Sequence, residues 1–438
     1  VCPFIVVFVC GLLFWAAVPA HAEVKATDDA LWGRTVSEIR IEGLKRTKEY
    51  VVTRHLRTFV GEPLLRKNLE EEVSEFDQLD IFAQFFIRPE ATAEGVVVTY
   101  EFVELFLFLP SLGLKFSDES GVSVGLGVKM PNFLGRGILM SARFLFGGIT
   151  ELEFWLDDPW WFGNHWGYRF EYYHREKENL TVDFNERTDE IYLWSGPKIG
   201  EHGNAGFHFS YIDMRADRDG VTLSDDRRDR TSRLGLYLGY ETLDSFMNTS
   251  TGWWTQVQYS HELAFVKKTG GTYGQWDIDL RKFVPLADRH VLAGFSLTTL
   301  RDGTIGDQVA PWEYFAIGGT NTVRGWEFAS HRGKNQMLNT LEYRFLLLKP
   351  QFWDLPLGFR YRGGLQLAAF WDYGVGWDDS PQFANDNFIS GYGVGLRLLI
   401  PIVGMARLDV GFGEHALHKI YFHLGSFEKS TMARRRVR

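Results

Sequence analysis

The 438-residue sequence predicts a transmembrane β-barrel of about sixteen antiparallel strands, preceded by one small α+β domain. Three observations predict this fold class. Apolar and polar residues alternate in many short segments between residues 109 and 427, which is typical of β-strands. The apolar positions are bulky, and 16% of the sequence is aromatic. No segment after residue 22 is long and apolar enough for a transmembrane helix, so a membrane form must cross with strands.

The overall composition excludes several other classes of protein. A formal net charge of -9 argues against a nucleic-acid partner, because there is no basic excess to neutralise phosphates. The hydrophobic fraction of 45% and the charged fraction of 24% are those of a folded chain and not of a disordered one. Two cysteines are too few for a scaffold held together by disulfides.

The N-terminal residues 1–22 are predicted to be a signal peptide. Residues 4–18 are almost entirely apolar, and Pro19-Ala20-His21-Ala22 supplies a small-residue cleavage site. The alternative is an uncleaved membrane anchor, although the apolar run is short for a membrane span. Cys2 and Cys10 both lie in this segment, so the mature chain is expected to contain no cysteine.

Residues 33–104 are predicted to form the small α+β domain. Its expected elements occur in the order strand, helix, helix, strand, strand, which suits one sheet covered by two helices. Thr47 is the expected N-cap of the first helix. The predicted ranges are 36–41, 48–57, 66–79, 81–88 and 96–104.

Residues 105–427 are predicted to form the barrel. In the segment 275–283, Trp276, Ile278 and Leu280 alternate with charged or polar residues. Apolar side chains facing lipid and polar ones facing a wet lumen explain charges in mid-strand. A soluble protein with several sheets is the alternative. The connections alternate between long and short, the longest being residues 302–334, although 349–362 is long where a short turn is expected.

The two ends of the barrel region are also distinctive. The first expected strand, residues 109–117, is short and contains Pro110 and Gly113, and the last strand is also short. Weak closure between these strands exposes edge groups that can pair with an incoming strand. The alternative is an ordinary closed barrel. The basic tail at residues 428–438 is expected to be a solvated periplasmic end.

Several motifs resemble the outer-membrane assembly-factor superfamily, which includes the BamA and TamA insertases, the bacterial surface antigen proteins and the two-partner secretion transporters. The run Val323-Arg324-Gly325-Trp326 resembles the family's signature loop, and residues 364–374 resemble a strand shortly after it. Residues 33–104 resemble a POTRA domain. We find one such domain in this sequence, whereas the best-known insertases carry several. Three further segments resemble the family's periplasmic turns, with the following positions: Asn132, Gly135 and Gly137; Asp158, Pro159 and Gly163; Asp244 and Gly252.

The resemblance implies that the signature loop folds back into the barrel lumen. A buried guanidinium at Arg324 needs an acidic partner there. The family pattern implies Asp372 as that partner, with Glu342 and Arg344 as further lumen-facing candidates. Loop anchoring and direct gating of a substrate are both open as roles for Arg324.

The implied function is non-enzymatic insertion or translocation of other polypeptides at the Gram-negative outer membrane. The expected partners are outer-membrane lipid and lipopolysaccharide, unfolded polypeptide clients, and periplasmic or lipoprotein accessory factors. Two alternatives stay open: a two-partner-type transporter for one dedicated client, and a passive pore or structural barrel. No nucleophile elbow or zinc-binding motif is present, so no catalytic residue, metal or cofactor is expected.

Overall fold

The computed structural model describes residues 21–424 except for 25–28, 80, 118–120, 162–164, 245–248, 264–270, 356–358, 385–386, 401–403 and 414–417. The chain divides into two compact units. The first comprises Val1–Pro110, Val128–Ser141 and Trp353–Tyr361, and the second comprises Ser111–Gly127, Ala142–Phe352 and Arg362–Arg438. In the described part of the chain, no α-helix has the length and apolarity needed to cross a membrane.

The small α+β domain contains a four-stranded sheet in the order β1-β3-β4-β2, with two helices. Phe76 of the longer helix packs edge-on against Phe85 and Phe102 of the sheet, and all three rings are buried. A sheet face covered by helices therefore forms the core, as the residue pattern predicts. The elements are β1 (His21–Val24), β2 (Val36–Glu42), α1 (Glu49–Thr53), α2 (Arg66–Gln78), β3 (Phe82–Thr92) and β4 (Gly95–Glu104).

Two details of this domain differ from the sequence-based expectation. Strand β1 pairs in parallel with β3, and it includes two residues assigned above to the signal peptide. Helix α1 is shorter than predicted and begins after Lys48, without a side-chain cap. The prediction that Thr47 caps it is wrong, because the Thr47 hydroxyl instead accepts a hydrogen bond from the Asn132 side chain at 2.8 Å.

The barrel region forms one sixteen-stranded sheet in which neighbours in the sheet follow chain order. Two further strands, β16 and β17, lie between β15 and β18 in the chain, and in the described part of the chain they pair with each other alone. The bounds are β5 (Leu109–Ser117), β6 (Gly121–Phe133), β7 (Ile138–Gly147), β8 (Thr150–Trp161), β9 (Trp166–Asn179), β10 (Phe184–Ile199), β11 (Gly203–Ala216), β12 (Arg228–Glu241), β13 (Gly252–Glu262), β14 (Gly274–Ala287), β15 (His290–Arg301), β16 (Phe315–Ile317), β17 (His331–Gly333), β18 (Asn335–Leu355), β19 (Phe359–Trp377), β20 (Ile389–Ile400), β21 (Gly404–Phe412) and β22 (His418–Leu424).

The exposure of side chains in this sheet is inverted relative to a soluble protein. In β14, Trp276 is 48% exposed, whereas Asp277 and Asp279 of the same strand are buried. In β12, Leu236 is 61% exposed and Arg233 is 6% exposed. An apolar outer face combined with a polar inner face is stable when lipid lies outside and the lumen inside. The predicted transmembrane barrel of sixteen strands is confirmed.

One predicted connection is wrong. Residues 349–362 were expected to form a long connection, but β18 continues to Leu355 and β19 begins at Phe359. Only residues 356–358, which lie outside the described residues, separate these two strands. The strands are longer than the alternation pattern indicates, and β18 and β19 are neighbours in the sheet, where each can supply hydrogen-bond partners to the backbone of the other.

Candidate functional site

The loop at residues 302–334 joins β15 to β18, the eleventh and twelfth strands of the large sheet. Within it, β16 and β17 form a small hairpin that pairs Phe315 with Gly333 and Ile317 with His331. Residues 318–330 form the tip of this hairpin. Gly318 begins the tip with a backbone φ of 109°, a conformation that favours glycine. The hairpin therefore presents residues 323–326, here called the signature segment, as an ordered tip.

Arg324 is the centre of the site and is 3% exposed. Its Nε donates to Oδ2 of Asp372 at 2.7 Å, and its Nη2 donates to Oδ1 of the same carboxylate at 2.8 Å. The backbone N–H of Arg324 also donates to Asp372 at 3.1 Å. Such a two-pronged contact fixes the orientation of the planar guanidinium as well as its position. The structure places Asp372 as the partner that the family resemblance implies.

Two other carboxylates complete the surroundings of Arg324. Its Nη1 donates to Asp409 at 3.0 Å and approaches Glu342 at 3.5 Å. Glu342 also accepts hydrogen bonds from Arg344 at 2.8 Å and from Arg397 at 2.9 Å. These three carboxylates and three guanidinium groups, together called the Arg324 cluster, are Arg324, Glu342, Arg344, Asp372, Arg397 and Asp409.

The Arg324 cluster is a buried ionic network rather than a set of surface ion pairs. Each member is at most 6% exposed. A charge removed from water to this extent is tolerated only when partners with good geometry surround it. Positive and negative groups alternate through the cluster, and the Phe370 ring lies 3.4 Å from the Arg324 guanidinium carbon. The cluster can therefore hold the loop strongly.

The rest of the signature segment is held by its backbone. The hydroxyl of Tyr421 accepts from the N–H of Gly325 and donates to the carbonyl of Trp326, both at 2.9 Å. Gly325 has a φ of 97°, and a Cβ placed there would lie 2.5 Å from the Phe412 carbonyl group. Val323 is fully buried in an apolar cluster, and the Trp326 indole N–H donates to the Ser390 carbonyl at 2.9 Å.

A glycine in the barrel wall makes this close approach possible. A Cβ on Gly391 would lie 1.8 Å from the carbonyl oxygen of Arg324. Any larger residue at this position would push the signature segment off the wall. Sequence reasoning missed Gly391, Arg397, Asp409 and Tyr421. The available signal for Arg397 and Asp409 was a charge in the middle of an alternating strand, but that signal does not say which loop meets the charge.

The turn at residues 132–137, which joins β6 to β7, contacts the small domain within the first unit. Asn132 donates to the Thr47 hydroxyl and accepts from the Gly137 N–H, both at 2.8 Å. The Lys48 N–H donates to the Gly135 carbonyl at 2.8 Å, and a Cβ on Gly135 would lie 2.0 Å from the Arg46 carbonyl oxygen. Two glycines with positive φ thus let this turn fit closely against the small domain.

Glu104 organises the side of the small domain that this turn contacts. Its carboxylate accepts backbone N–H bonds from Lys45, Arg46 and Thr47 at 3.1, 2.9 and 2.7 Å. Burial raises the pKa of Glu104, but hydrogen bonds from Thr47 and Arg46 outweigh burial and lower the pKa to about 2. The ionised carboxylate therefore holds residues 45–47 in the conformation that receives the turn.

The other two turn motifs are placed as follows. Asp158 and Pro159 are the last part of strand β8 rather than a turn, and the Asp158 side chain accepts from the Trp160 N–H at 2.9 Å. Gly163 lies outside the described residues. Asp244 accepts from the Ser250 N–H at 2.9 Å in the connection between β12 and β13, which ends at Gly252 with a φ of 120°. No group of side chains within the described ranges is arranged to hold a metal ion.

The fold and the Arg324 cluster define an outer-membrane-type β-barrel with a signature loop held inside it, and comparison with known proteins agrees. Residues 132–427 match the Omp85 superfamily domain. This match covers more than half of the chain, so the chain belongs to the Omp85 superfamily.

Solved structures show the same fold. BamA from Haemophilus ducreyi lacking POTRA domains 1–3 superposes with a TM-score of 0.65 at 15% identity, covering 89% of this chain and 83% of that one. CdiB from Acinetobacter baumannii gives a TM-score of 0.57 at 12% identity, covering 90% and 73% of the two chains.

Curated relatives match shorter parts of the chain. Outer envelope protein 39 of Arabidopsis thaliana chloroplasts is 25% identical over 211 residues, 43% of this chain. The sorting and assembly machinery component 50 homolog of Mus musculus is 30% identical over 125 residues, 26% of this chain. This chain spans 55% of the length of the first relative and 26% of the length of the second.

Proposed function

We propose that this protein inserts or translocates other polypeptides at the Gram-negative outer membrane, without enzymatic activity. Membership of the Omp85 superfamily supports the general class of function. The observation that carries the proposal is the fastening of the signature segment to the last strands of the barrel. It contacts Asp372 in β19, Asp409 in β21 and Tyr421 in β22.

Because of these contacts, the two ends of the sheet differ in how firmly their strands are held. The contacts just described brace strands near β22, at one end of the sheet. At the other end, β5 has nine residues and includes Pro110, which has no N–H to donate to a neighbouring strand. A braced last strand, together with a first strand that has one backbone donor fewer, suits a seam that opens sideways. The opened edge can then pair with a strand of an incoming client.

The remaining features fit this role. Export through the predicted signal peptide at residues 1–22 brings the chain to the periplasm. Exposed apolar residues such as Leu236 and Trp276 face the lipid and lipopolysaccharide of the outer membrane. Strand β2 lies at an edge of the small POTRA-like domain, where an unfolded client or an accessory factor can add a strand.

The proposal is tested by reconstituting the full chain into lipid vesicles and adding an unfolded outer-membrane β-barrel as client. Folding of the client is followed by its change in gel mobility between heated and unheated samples. We expect the protein to accelerate client folding, and we expect cysteine pairs scanned along β5 and β22 to stop this acceleration when oxidised and to permit it when reduced. Acceleration that persists with the seam cross-linked would exclude lateral opening.

The same vesicles separate the proposal from its two alternatives. A passive pore conducts small solutes but leaves the folding rate of the client unchanged. A transporter for a dedicated client moves that polypeptide across the bilayer instead of inserting it, so the polypeptide becomes protected from protease inside the vesicle. Either result, without acceleration of client folding, replaces the insertion proposal.

A further inference from the structure

The loop at residues 302–334 has a second buried attachment, away from the signature segment. Glu313 belongs to a single 3-10 turn, Pro311–Glu313, near the start of the loop. It is 2% exposed, although nothing in the family resemblance singles it out. Its side chain accepts hydrogen bonds from Arg233 at 2.6 Å and from the Tyr273 hydroxyl. Arg301 approaches the same carboxylate at 3.8 Å.

The backbone beside Glu313 is held as firmly as its side chain. The Arg301 Nη1 donates to the Glu313 carbonyl at 2.7 Å. The neighbouring Trp312 donates its indole N–H to Asp229 at 2.9 Å and its backbone N–H to the Val221 carbonyl at 3.1 Å. Trp312 and Val221 also belong to one buried apolar cluster. We name the charged group, consisting of Arg233, Tyr273, Arg301 and Glu313, the Glu313 cluster.

The two attachments of the loop contact different strands. The Glu313 cluster uses Arg233 of β12 and Arg301 of β15, whereas the Arg324 cluster uses β18 to β21. Both arginines of the Glu313 cluster lie on the buried polar face of the sheet, since the adjacent Leu234 and Leu300 are exposed. The loop is therefore fastened inside the lumen at two sites.

We propose that Glu313 is a positioning residue that forms a second lock on the lumen loop, and that opening of the lumen at the end carrying this loop requires release of both locks. A loop held only at Arg324 can swing about that point. A second attachment eleven residues earlier in the chain removes this freedom. Both locks rest on carboxylates shared between arginines, so each opens only when buried charges separate.

The test measures ion conductance of the full-length protein in planar bilayers, with no client present. Glu313→Gln keeps the shape of the side chain but removes the charge that balances Arg233. We expect the frequency of open events to rise at least about tenfold, because the negative charge that pairs with Arg233 on the closed side is replaced by a neutral acceptor. Glu327→Gln is the matched control, since Glu327 lies in the same loop and its only described ion pair, with Lys419, is at the surface.

Tyr273→Phe provides a milder second variant, because it removes only the hydroxyl that donates to Glu313. It should raise the open frequency less than Glu313→Gln does, and it decides the matter if Glu313→Gln does not fold. Folding is checked by heat-modifiable gel mobility. Wild-type conductance in the folded variants, or an equal rise in Glu327→Gln, overturns the proposal. Because no client is used, this result is independent of the insertion assay.

Discussion

Replacing Arg324 by alanine tests the central contact of the candidate site. The substitution removes two hydrogen bonds to Asp372, at 2.7 and 2.8 Å, and one to Asp409 at 3.0 Å. The backbone N–H of residue 324 still reaches Asp372. The loop should therefore remain near the wall but lose its fixed position, and both loop order and activity should fall.

The expected loss in free energy of unfolding depends on which carboxylate is left without a cationic partner. Asp409 keeps Arg397, and Glu342 keeps Arg344 and Arg397. Asp372 loses its guanidinium and keeps two described hydrogen bonds, from the Thr340 hydroxyl at 2.8 Å and from the backbone N–H of residue 324 at 3.1 Å. Breaking a buried ion pair by removing one partner costs about 3–5 kcal/mol. Because one carboxylate rather than three is left without a cation, we expect a loss near the lower end, about 3 kcal/mol.

The loss is measured by urea unfolding of the full chain in detergent micelles, followed by tryptophan fluorescence. Arg332→Ala is the matched control, because Arg332 lies in the same loop and is exposed, and its described side-chain contacts are a weak hydrogen bond of 3.4 Å and a position 4.9 Å from the Tyr314 ring. It should lower the free energy of unfolding by no more than about 1 kcal/mol. A loss below about 1 kcal/mol for Arg324→Ala, or equal losses for the two variants, would refute the argument that the cluster fastens the loop.

Three further outcomes are expected from the same structure. Gly325→Ala should lower the free energy of unfolding by more than about 2 kcal/mol through strain and overlap with Phe412, whereas Gly294→Ala, with open space around it, should be nearly neutral in the same urea assay. Asn132→Ala should cost about 1–2 kcal/mol locally and speed amide exchange in the turn at residues 132–137. The depressed pKa of Glu104 means that its stabilisation is complete above the ordinary pKa of 4.5 and is lost as the pH falls towards about 2. Amide protection at residues 45–47 should decline over that pH range in the wild type, and Glu104→Gln should show low protection throughout; a flat wild-type profile would show that the carboxylate does not order this segment.

Most of the barrel could be predicted because its signal is local. Trp276 and Asp277 are adjacent in the sequence, so they can be assigned to opposite faces of the sheet, because successive strand residues point to opposite sides. The prediction fails where a strand continues beyond the segment in which apolar and polar residues alternate. For this reason residues 349–355, which belong to β18, were predicted to lie in a connection. The sequence also predicted a side-chain cap from Thr47 at the start of α1, and the structure has none. The Thr47 hydroxyl instead binds Asn132, which is 85 positions away in the sequence and could not be identified from the local pattern.

The candidate site was only partly predictable for a related reason. The family resemblance implied Asp372 beside Arg324, and Glu342 and Arg344 were further lumen-facing candidates; the structure places all three in the Arg324 cluster. Nothing local to Asp409 distinguishes it from the other charges that line the lumen. Glu313 likewise occupies an unremarkable position in the sequence, between a tryptophan and a tyrosine.

The amino-acid sequence by itself determined the class of fold. Apolar and polar residues alternate with a period of two in each strand, and this alternation places the apolar side chains on the outer face and the polar ones on the inner face. The resemblance of one glycine-rich loop to the family's signature loop further implied that its arginine needs a buried acidic partner. Only the tertiary structure decided which carboxylates surround that arginine, and that the loop carries a second attachment at Glu313. Those contacts join residues tens of positions apart, and they depend on strand register and on the path of the loop through the lumen, which no local pattern encodes.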